Sequence, residues 1–313
     1  MSRAIVCPGQ GSQAVGMGAE LSAAFSVARH VFEEVDDALN QNLTRVMFEG
    51  PEDELRLTEN AQPALMAMSL AVVRVIEAEG GKPIGDIAAY VAGHSLGEYS
   101  ALAAAGAFSL ADTAKLLKAR GEAMQAAVPV GRGAMAALLG LSLPDAEAVA
   151  AEAAAGEVCD VANDNSEGQI VVSGDAAAVE RAVALAAERG ARRSIMLPVS
   201  APFHCALMEP AAEIMTYALA QTDIARPVPA VVANVTAEPA DQPDEIRSLL
   251  VEQVTHRVRW RECVLKMKEL GVDTLVEVGA GKVLTGLVRR IDRDMTGISV
   301  GTPQDVEAFL KTL

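Results

Sequence analysis

The pattern of apolar and polar positions in the first part of the chain alternates short apolar runs with stretches of helical spacing. Residues 4–7 and 88–92 are apolar runs that end at proline or glycine, and they predict buried strands. The helical spacing of apolar residues predicts helices at 20–39, 61–79, 97–105 and 109–127. Because strands alternate with helices, we expect a mostly parallel sheet with helices on both faces.

The middle of the chain has a different pattern. It predicts, in order, a strand at 133–141, a helix at 144–155, strands at 158–163 and 169–173 around a turn at 164–168, a helix at 176–190 and a strand at 193–199. This βαββαβ order is typical of a ferredoxin-like unit. We therefore expect a small ferredoxin-like subdomain at 129–197, inserted into a larger one.

After residue 202 the pattern returns to that of the first part. It predicts helices at 207–221, 244–252, 260–270 and 283–291, and strands at 228–234 and 274–278. We expect residues 1–128 and 198–313 to form one large α/β catalytic subdomain with an α/β-hydrolase-like core.

The bulk composition excludes several classes of function. The 313 residues carry a formal net charge of −16 and only 3% are aromatic, so we expect no nucleic acid and no anionic membrane as partners. No run of about 18 uninterrupted apolar residues occurs and no signal-peptide pattern is present, so we expect a cytoplasmic protein without a membrane span. The four cysteines have apolar flanks and no Cys-x-x-Cys spacing, which predicts buried free thiols and no metal site.

A candidate nucleophile lies directly after the second predicted strand, in the turn Gly93-His94-Ser95-Leu96-Gly97. A nucleophile elbow needs a strand, a sharp turn and a helix, and glycines on both sides of the serine allow the strained turn. Ser95 would lie at a helix N-terminus, where exposed N–H groups and the helix dipole favour an oxyanion. The alternative is an ordinary glycine-rich turn in which the serine only caps the helix.

A nucleophilic serine needs a base, and the chain offers four histidines. His30 lies within a predicted helix among charged residues, which is typical of a solvated face. His94 adjoins Ser95, so we expect its side chain to point away from the hydroxyl. His204 follows a predicted strand in a proline-containing loop, where parallel sheets gather their ligand sites, and His256 is its competitor.

The glycine-rich loop at residues 8–13 has two readings. Gly9, Gly11 and Ala14 match the Gly-x-Gly-x-x-Gly/Ala dinucleotide fingerprint, and a strand precedes them. That fingerprint requires a helix to open inside the motif, but Gly16 and Gly18 delay the helix here. A loop that offers backbone N–H groups beside the serine fits better, because acyl transfer needs two oxyanion donors.

Together these motifs resemble the malonyl-CoA:acyl-carrier-protein transacylases, the acyltransferase family that loads malonyl groups in bacterial fatty-acid synthesis. The matching segments follow one another over nearly the whole chain, at 8–13, 93–99, 120–125, 163–171, 200–204, 253 and 277–284.

The resemblance implies a mechanism. Ser95 attacks the malonyl thioester with His204 as general base, and the backbone N–H groups of Gln10 and Leu96 hold the oxyanion. Transfer then runs by a ping-pong route through a malonyl-Ser95 ester to the phosphopantetheine thiol of acyl carrier protein. Malonyl-CoA is a substrate in this scheme, and the resemblance implies no cofactor.

The resemblance also implies which residues bind the substrate. Arg120 pairs with the free malonyl carboxylate, although by its sequence context alone it is an ordinary helix arginine. Gln253 orients His204 through its backbone carbonyl, in the place that a carboxylate takes in many triads. Phe203 before the histidine is typical of malonyl-selective members, and Asn163 completes the expected set.

The acidic net charge raises a question about the carrier protein, which is itself acidic in this family. Docking requires a local basic area, and the candidates are residues 192–193, 257–261, 266–268 and 282–293, of which we favour the last. We expect the carrier protein to bind transiently and the enzyme to be a monomer. Two rival functions stay open, a hydrolase that uses the same elbow and a non-catalytic subunit that only docks the carrier protein.

Overall fold

A computed structural model gives the structure of the chain and describes residues 2–313. The strands are β1 (Arg3–Cys7), β2 (Tyr90–Gly93), β3 (Gly133–Leu139), β4 (Cys159–Ser166), β5 (Gln169–Asp175), β6 (Arg193–Met196), β7 (Val231–Val232), β8 (Pro239–Ala240), β9 (Thr274–Val278) and β10 (Thr296–Val300). The α-helices are α1 (Ala19–Ala24), α2 (Ser26–Leu39), α3 (Leu43–Glu49), α4 (Glu52–Arg56), α5 (Thr58–Gly80), α6 (Ile84–Ile87), α7 (Leu96–Ala104), α8 (Leu110–Ala126), α9 (Leu143–Ala154), α10 (Ala176–Glu188), α11 (Glu209–Ala220), α12 (Pro243–Thr255), α13 (Trp260–Glu269), α14 (Val283–Ile291) and α15 (Pro303–Leu310).

The larger sheet has the strand order β10-β9-β1-β2-β7-β8 and is parallel except for β8. Its central strand β1 is an apolar run because helices cover both of its faces. In the register, Cys7 of β1 pairs with Gly93 of β2, and Val6 pairs with Glu277 of β9. The loops that follow these three strands therefore leave the sheet side by side, which confirms the predicted α/β architecture and brings the candidate motifs together.

The smaller sheet has the order β4-β5-β3-β6 and is antiparallel throughout. With α9 and α10 between its strands, it has the ferredoxin-like topology that the βαββαβ pattern predicts. Side chains alternate along β5: Ile170 and Val172 pack in the small core, whereas Val171 joins the main core. The sheet thus has one face for its own helices and one face for the larger part of the protein. Subdomain boundaries at 129 and 197 stay a prediction.

Several predicted elements differ from the observed ones. The helix predicted at 20–39 is two helices, because Phe25 between them is in extended conformation. The strand predicted at 228–234 is reduced to β7, which begins two residues after Pro229, a residue without a backbone N–H for the sheet. Residues 164–166 belong to β4, although the sequence predicts a turn that begins at 164.

Helix α5 is the longest helix of the described residues and lies in the main core. By length and composition it could cross a membrane, but 83% of its most apolar window is buried inside the protein. It packs among the other core helices, and the polar residue Gln62 in its second turn is also buried. The side chain of Gln62 faces the site described next.

Candidate active site

Ser95 occupies the turn between β2 and α7 with φ 54° and ψ −111°, which lies in the strained region for a non-glycine residue. The neighbouring glycines make this turn sterically possible. A Cβ at position 93 would lie 1.9 Å from the carbonyl of Gly97, and a Cβ at position 97 would lie 2.2 Å from the carbonyl oxygen of Cys7. The strand, the helix and the end of β1 therefore approach so closely that only glycine fits at either place, as in a nucleophile elbow.

His204 lies against the hydroxyl of Ser95, with 2.7 Å between Nε2 and Oγ. Its Nδ1 lies 2.8 Å from the backbone carbonyl oxygen of Gln253. A carbonyl oxygen only accepts, so Nδ1 must carry the proton and the neutral ring leaves Nε2 free to accept from the serine. This is the tautomer that a general base for Ser95 requires.

The surroundings of His204 keep its imidazole neutral. The residue is 4% exposed, and burial, together with the positive charge of Arg120, lowers its pKa to about 3. The hydrogen bond to the carbonyl of Gln253 acts in the opposite direction. The orienting group is a neutral amide carbonyl, and within residues 2–313 no carboxylate forms an ion pair with His204.

Arg120 is buried, with 1% of its surface exposed, and its partners are neutral. Its Nη1 donates to Oε1 of Gln62 over 2.7 Å, and its Nη2 donates to Oε1 of Gln253 over 2.9 Å and to Oγ of Ser95 over 3.1 Å. Its guanidinium carbon also lies 5.6 Å from the centre of the Tyr99 ring. Within residues 2–313 it forms no ion pair, so a fixed positive charge lies beside the nucleophile with only neutral hydrogen-bond partners.

Two backbone N–H groups beside Ser95 are free to bind an oxyanion. The N–H of Ser95 itself donates to Asn234, but those of Gln10 and Leu96 have no acceptor within the described chain, residues 2–313. Leu96 is the first residue of α7, where the helix dipole favours negative charge. The Gln10 side chain accepts a hydrogen bond of 3.0 Å from Thr58, and this contact fixes the loop in position.

These groups open into a cleft of about 420 Å³ between the two sheets. The larger part of the protein supplies Ser95, His204, Arg120 and the loop at Gln10. The smaller sheet supplies much of the opposite wall, including Met135, Asn163 and Val171, and Leu197, directly after β6, also lines it. Phe203 lines the same cleft and is 8% exposed, and Asn163 is 7% exposed. Seven of the eight residues predicted for the site line this cleft. The eighth, Gln253, is buried behind it and is hydrogen-bonded to Arg120 and His204.

The other histidines have different surroundings. His30 is exposed on α2, as its charged neighbours predict, and exposed His256 makes local contacts at the end of α12. His94 does point away from the hydroxyl, as expected, and its Nε2 lies 2.8 Å from Oδ1 of Asn165. Burial lowers the pKa of His94, which favours its neutral form.

Three buried polar residues at the site had no predicted role. Gln62 holds Arg120, and Glu98 and Asn234 lie beneath the elbow. Polar residues inside apolar stretches were the available signal: Gln62 interrupts the most apolar helix, and Asn234 ends an apolar run. The pattern does not say which partner each one satisfies, because the partners are distant in the sequence.

Comparison with known proteins finds similarity to acyl transferases over nearly the whole chain. Residues 4–303 match the family described as the acyl transferase domain. Malonyl CoA-acyl carrier protein transacylase of Bacillus subtilis (strain 168) is 44% identical over 311 residues, which cover 99% of this chain and 96% of that protein. The protein of the same name from Escherichia coli (strain K12) is 44% identical over 308 residues, with 98% of both chains covered.

Solved structures agree with the fold. An acyl-carrier-protein-S-malonyltransferase from Bartonella henselae superposes with a TM-score of 0.97 at 55% identity, covering 100% of this chain and 99% of that one. A malonyl-transacylase solved in complex with a type II polyketide acyl-carrier protein superposes with a TM-score of 0.96 at 40% identity, with 100% of both chains covered.

Proposed function

The chain belongs to the acyl transferase domain family, and we propose that it transfers the malonyl group from malonyl-CoA to the phosphopantetheine thiol of acyl carrier protein in fatty-acid biosynthesis. Relatives named malonyl CoA-acyl carrier protein transacylase match nearly the full chain, and the structure of a related malonyl-transacylase has been solved in complex with a carrier protein. The proposed route is ping-pong, through a malonyl ester on Ser95.

The first half-reaction follows from the contacts of Ser95. His204 Nε2 takes the hydroxyl proton over the 2.7 Å contact while Oγ attacks the thioester carbonyl carbon. The carbonyl oxygen becomes an oxyanion, and the free N–H groups of Gln10 and Leu96 stabilise it. When the tetrahedral intermediate collapses, the C–S bond breaks and the coenzyme A sulfur takes the proton from His204, leaving a malonyl-serine ester.

The second half-reaction reverses these steps with a different thiol. The phosphopantetheine thiol gives its proton to His204 and attacks the ester carbonyl carbon, and the same two N–H groups bind the oxyanion. The C–O bond then breaks, Oγ recovers the proton, and the malonyl thioester leaves on the carrier protein. The malonyl group has then passed from coenzyme A to the carrier protein, and Ser95 and His204 are back in their starting protonation states, so this scheme uses only side chains, backbone N–H groups and the two substrates.

The observation that carries malonyl selection is the buried Arg120, whose hydrogen-bond partners are neutral. A carboxylate placed there would replace neutral acceptors by an anion, and the planar guanidinium suits a bidentate pair. Neutralising Arg120 would also remove a positive charge that lowers the pKa of His204. The malonyl carboxylate would thereby both anchor the substrate and make the base stronger.

Mass spectrometry of the intact protein tests this function directly. We expect malonyl-CoA alone to add one malonyl group to the protein, and peptide mapping to place it on Ser95. The matched Ser95→Ala variant should stay unmodified. Addition of carrier protein should remove the adduct and produce malonyl-carrier protein. An unmodified wild-type mass would refute the enzyme function, and loss of the adduct to water without carrier would favour a hydrolase.

We also propose where the carrier protein docks. Of the four basic candidate clusters, residues 257–261 and 266–268 are neutralised by ion pairs with neighbouring carboxylates. The other two meet around one groove of about 560 Å³, lined by Arg192, Arg193, Arg289, Arg290 and Arg293. Within residues 2–313, none of these five arginines forms an ion pair, although Glu167 also lines the groove. A concentrated positive groove on an acidic protein suits an acidic partner.

Charge reversal tests this docking surface. We expect Arg289→Glu with Arg290→Glu to raise the KM for carrier protein and to leave the KM for malonyl-CoA unchanged, because the groove is separate from the cleft. The effect should shrink as salt is added. Unchanged carrier kinetics at low salt would refute the assignment.

The monomeric state, the cytoplasmic location and the subdomain division at residues 129–197 stay proposals from the sequence. Size-exclusion chromatography with light scattering tests the first. Limited proteolysis tests the third, since cleavage should concentrate near residues 129 and 197.

A further inference from the structure

A cluster of three buried polar side chains lies beneath the elbow, outside the substrate cleft. Glu98 is 2% exposed, and Asn234 and Gln253 are fully buried. They come from α7, from the loop after β7 and from α12, so three distant segments meet at one point. Buried polar groups are costly unless they are paired, and this cluster is paired internally and with the backbone of the elbow.

The cluster holds both backbone groups of the strained residue Ser95. Asn234 Oδ1 accepts from the Ser95 N–H over 2.8 Å, and Gln253 Nε2 donates to the Ser95 carbonyl over 3.1 Å. Asn234 Nδ2 also donates to the carbonyl of Gly93 over 2.7 Å. The turn conformation is thus fixed by side chains as well as by the strand and the helix.

Gln253 links three parts of the site, and its role depends on which way its amide points. Its Oε1 accepts from Arg120, its Nε2 donates to the elbow, and its backbone carbonyl accepts from His204. A rotation of the amide by 180° would turn its donor towards the guanidinium and its acceptor towards the Ser95 carbonyl. Both contacts would then be lost.

Glu98 also opposes this rotation. Its Oε2 accepts from Gln253 Nε2 over 2.8 Å and from the backbone N–H of Asn234 over 3.0 Å. A flipped amide would place its oxygen against this carboxylate. Glu98 therefore adds, from beneath the elbow, to the preference that Arg120 and the Ser95 carbonyl give to this orientation of the amide.

We propose that Glu98 is a positioning residue for the transfer reaction, acting as a hydrogen-bond acceptor that fixes the Gln253 amide and the Asn234 loop. The proposal rests on the proposed malonyl transfer. Glu98 does not line the cleft, and it acts through Gln253 and Asn234.

The negative charge of Glu98 is not what this role requires. Burial raises the pKa of Glu98 to about 7, while the two hydrogen bonds and Arg120 act to lower it. Because one oxygen, Oε2, accepts both hydrogen bonds, a proton on Oε1 leaves them in place. An uncharged side chain with an oxygen at the Oε2 position should therefore do the same work.

Two variants of matched length test the proposal. Glu98→Gln keeps an acceptor at the Oε2 position, and Glu98→Met keeps the length of the side chain but removes the acceptor. The rate of acyl-Ser95 formation is measured by rapid quench and intact mass with malonyl-CoA and with acetyl-CoA. A control variant, Val149→Ala, removes buried apolar atoms from α9 in the smaller core and reports the effect of lost stability alone.

We expect Glu98→Gln to acylate within about tenfold of the wild-type rate and Glu98→Met to acylate about 100-fold more slowly, since small displacements of reacting groups have effects of this size. We also expect Glu98→Met to lower the malonyl-to-acetyl rate ratio about tenfold, because Arg120 loses one oriented acceptor. Val149→Ala should keep both the rate and the ratio. If Glu98→Met does not fold, Glu98→Ala replaces it in the same assays.

The outcomes separate three cases. A wild-type rate and ratio in the folded Met or Ala variant would overturn the proposal. Equal losses in Glu98→Gln and Glu98→Met would also overturn it, because charge and not acceptance would then matter. Absence of a malonyl adduct on the wild-type protein would instead refute the proposed function itself.

Discussion

Replacing Arg120 by alanine is the sharpest test of acyl selection. The guanidinium makes three hydrogen bonds to neutral oxygens, and a malonyl carboxylate would exchange neutral acceptors for an anion in a buried setting. Two unit charges 4 Å apart attract by about 4 kcal/mol at an effective dielectric constant of about 20. Desolvation of the carboxylate offsets part of this, so we take about 3 kcal/mol. At 1.36 kcal/mol per factor of ten, that predicts about a 100-fold loss of kcat/KM for malonyl-CoA.

The assay follows single turnovers with malonyl-CoA and with acetyl-CoA in parallel. Acetyl-CoA has no carboxylate, so its acylation of Ser95 reports whether the nucleophile, the base and the oxyanion donors survive the substitution. We expect its rate to change far less than the malonyl rate, so that the preference for malonyl is largely lost. Arg120→Lys serves as the matched control, because lysine keeps the positive charge but lacks the planar guanidinium that binds a carboxylate through two N–H groups. Its rate of malonyl transfer to Ser95 should lie between those of the wild type and Arg120→Ala.

Equal losses for both acyl groups would refute this reasoning. They would show that Arg120 supports the catalytic geometry through Gln253 and Ser95 and does not read the carboxylate. An unchanged malonyl rate would also refute it, because no other buried cation lies against the hydroxyl of Ser95 within residues 2–313.

The remaining predictions concern pH, the elbow and stability. The pKa of His204 is about 3 in the folded state, whereas an unfolded histidine titrates near 6.5, so the unfolded state binds more protons between these values. The contribution of His204 to the free energy of unfolding should therefore be full above pH 6.5 and should fall as the pH drops below it. Urea titrations at a series of pH values measure this change. Gly93→Ala should abolish acylation of Ser95, because the added Cβ would overlap the Gly97 carbonyl. In Gly286→Ala, on α14, the added Cβ meets nothing within 4 Å, so this variant should raise the free energy of unfolding by about 1 kcal/mol, as measured by thermal unfolding. Arg261→Ala would leave the buried Asp164 carboxylate unpaired and should lower the free energy of unfolding in urea by about 2–3 kcal/mol, while an unchanged midpoint would contradict it.

The architecture was predictable where local pattern and burial agree. Strand β9 coincides with its predicted range because all five of its residues are buried and the run is apolar apart from Thr274 and Glu277. Strand β10 was not predicted, because Gly297 and polar neighbours break its apolar run at the sheet edge. Helix α15 begins with a capping box formed by Thr302 and Asp305, which is a signal in the sequence from which a helix can be predicted at this position.

The candidate site was predictable only in part, for a related reason. The turn around Ser95 is encoded by adjacent residues, and His204 follows from the small number of histidines and its place after a strand. The setting of Arg120 depends on Gln62, 58 residues earlier, and on Gln253, 133 residues later. No spacing rule covers such separations, so the family resemblance had to supply what the pattern could not.

The two-sided construction of the cleft has a consequence for how acyl preference can diversify. The reacting groups, Ser95 and His204, belong to the part of the protein built around the parallel sheet, and Met135 and Val171 of the antiparallel sheet form much of the opposite wall of the cleft. Substitutions on that wall change the space for the acyl chain while the proton path from Ser95 to His204 stays intact. Residues 133–196 thus supply one wall of the acyl site, whereas Arg120 and Phe203 lie on the opposite side. We therefore expect substitutions in this stretch to change the size limit for the acyl chain and to leave the preference for a carboxylate, which depends on Arg120, in place.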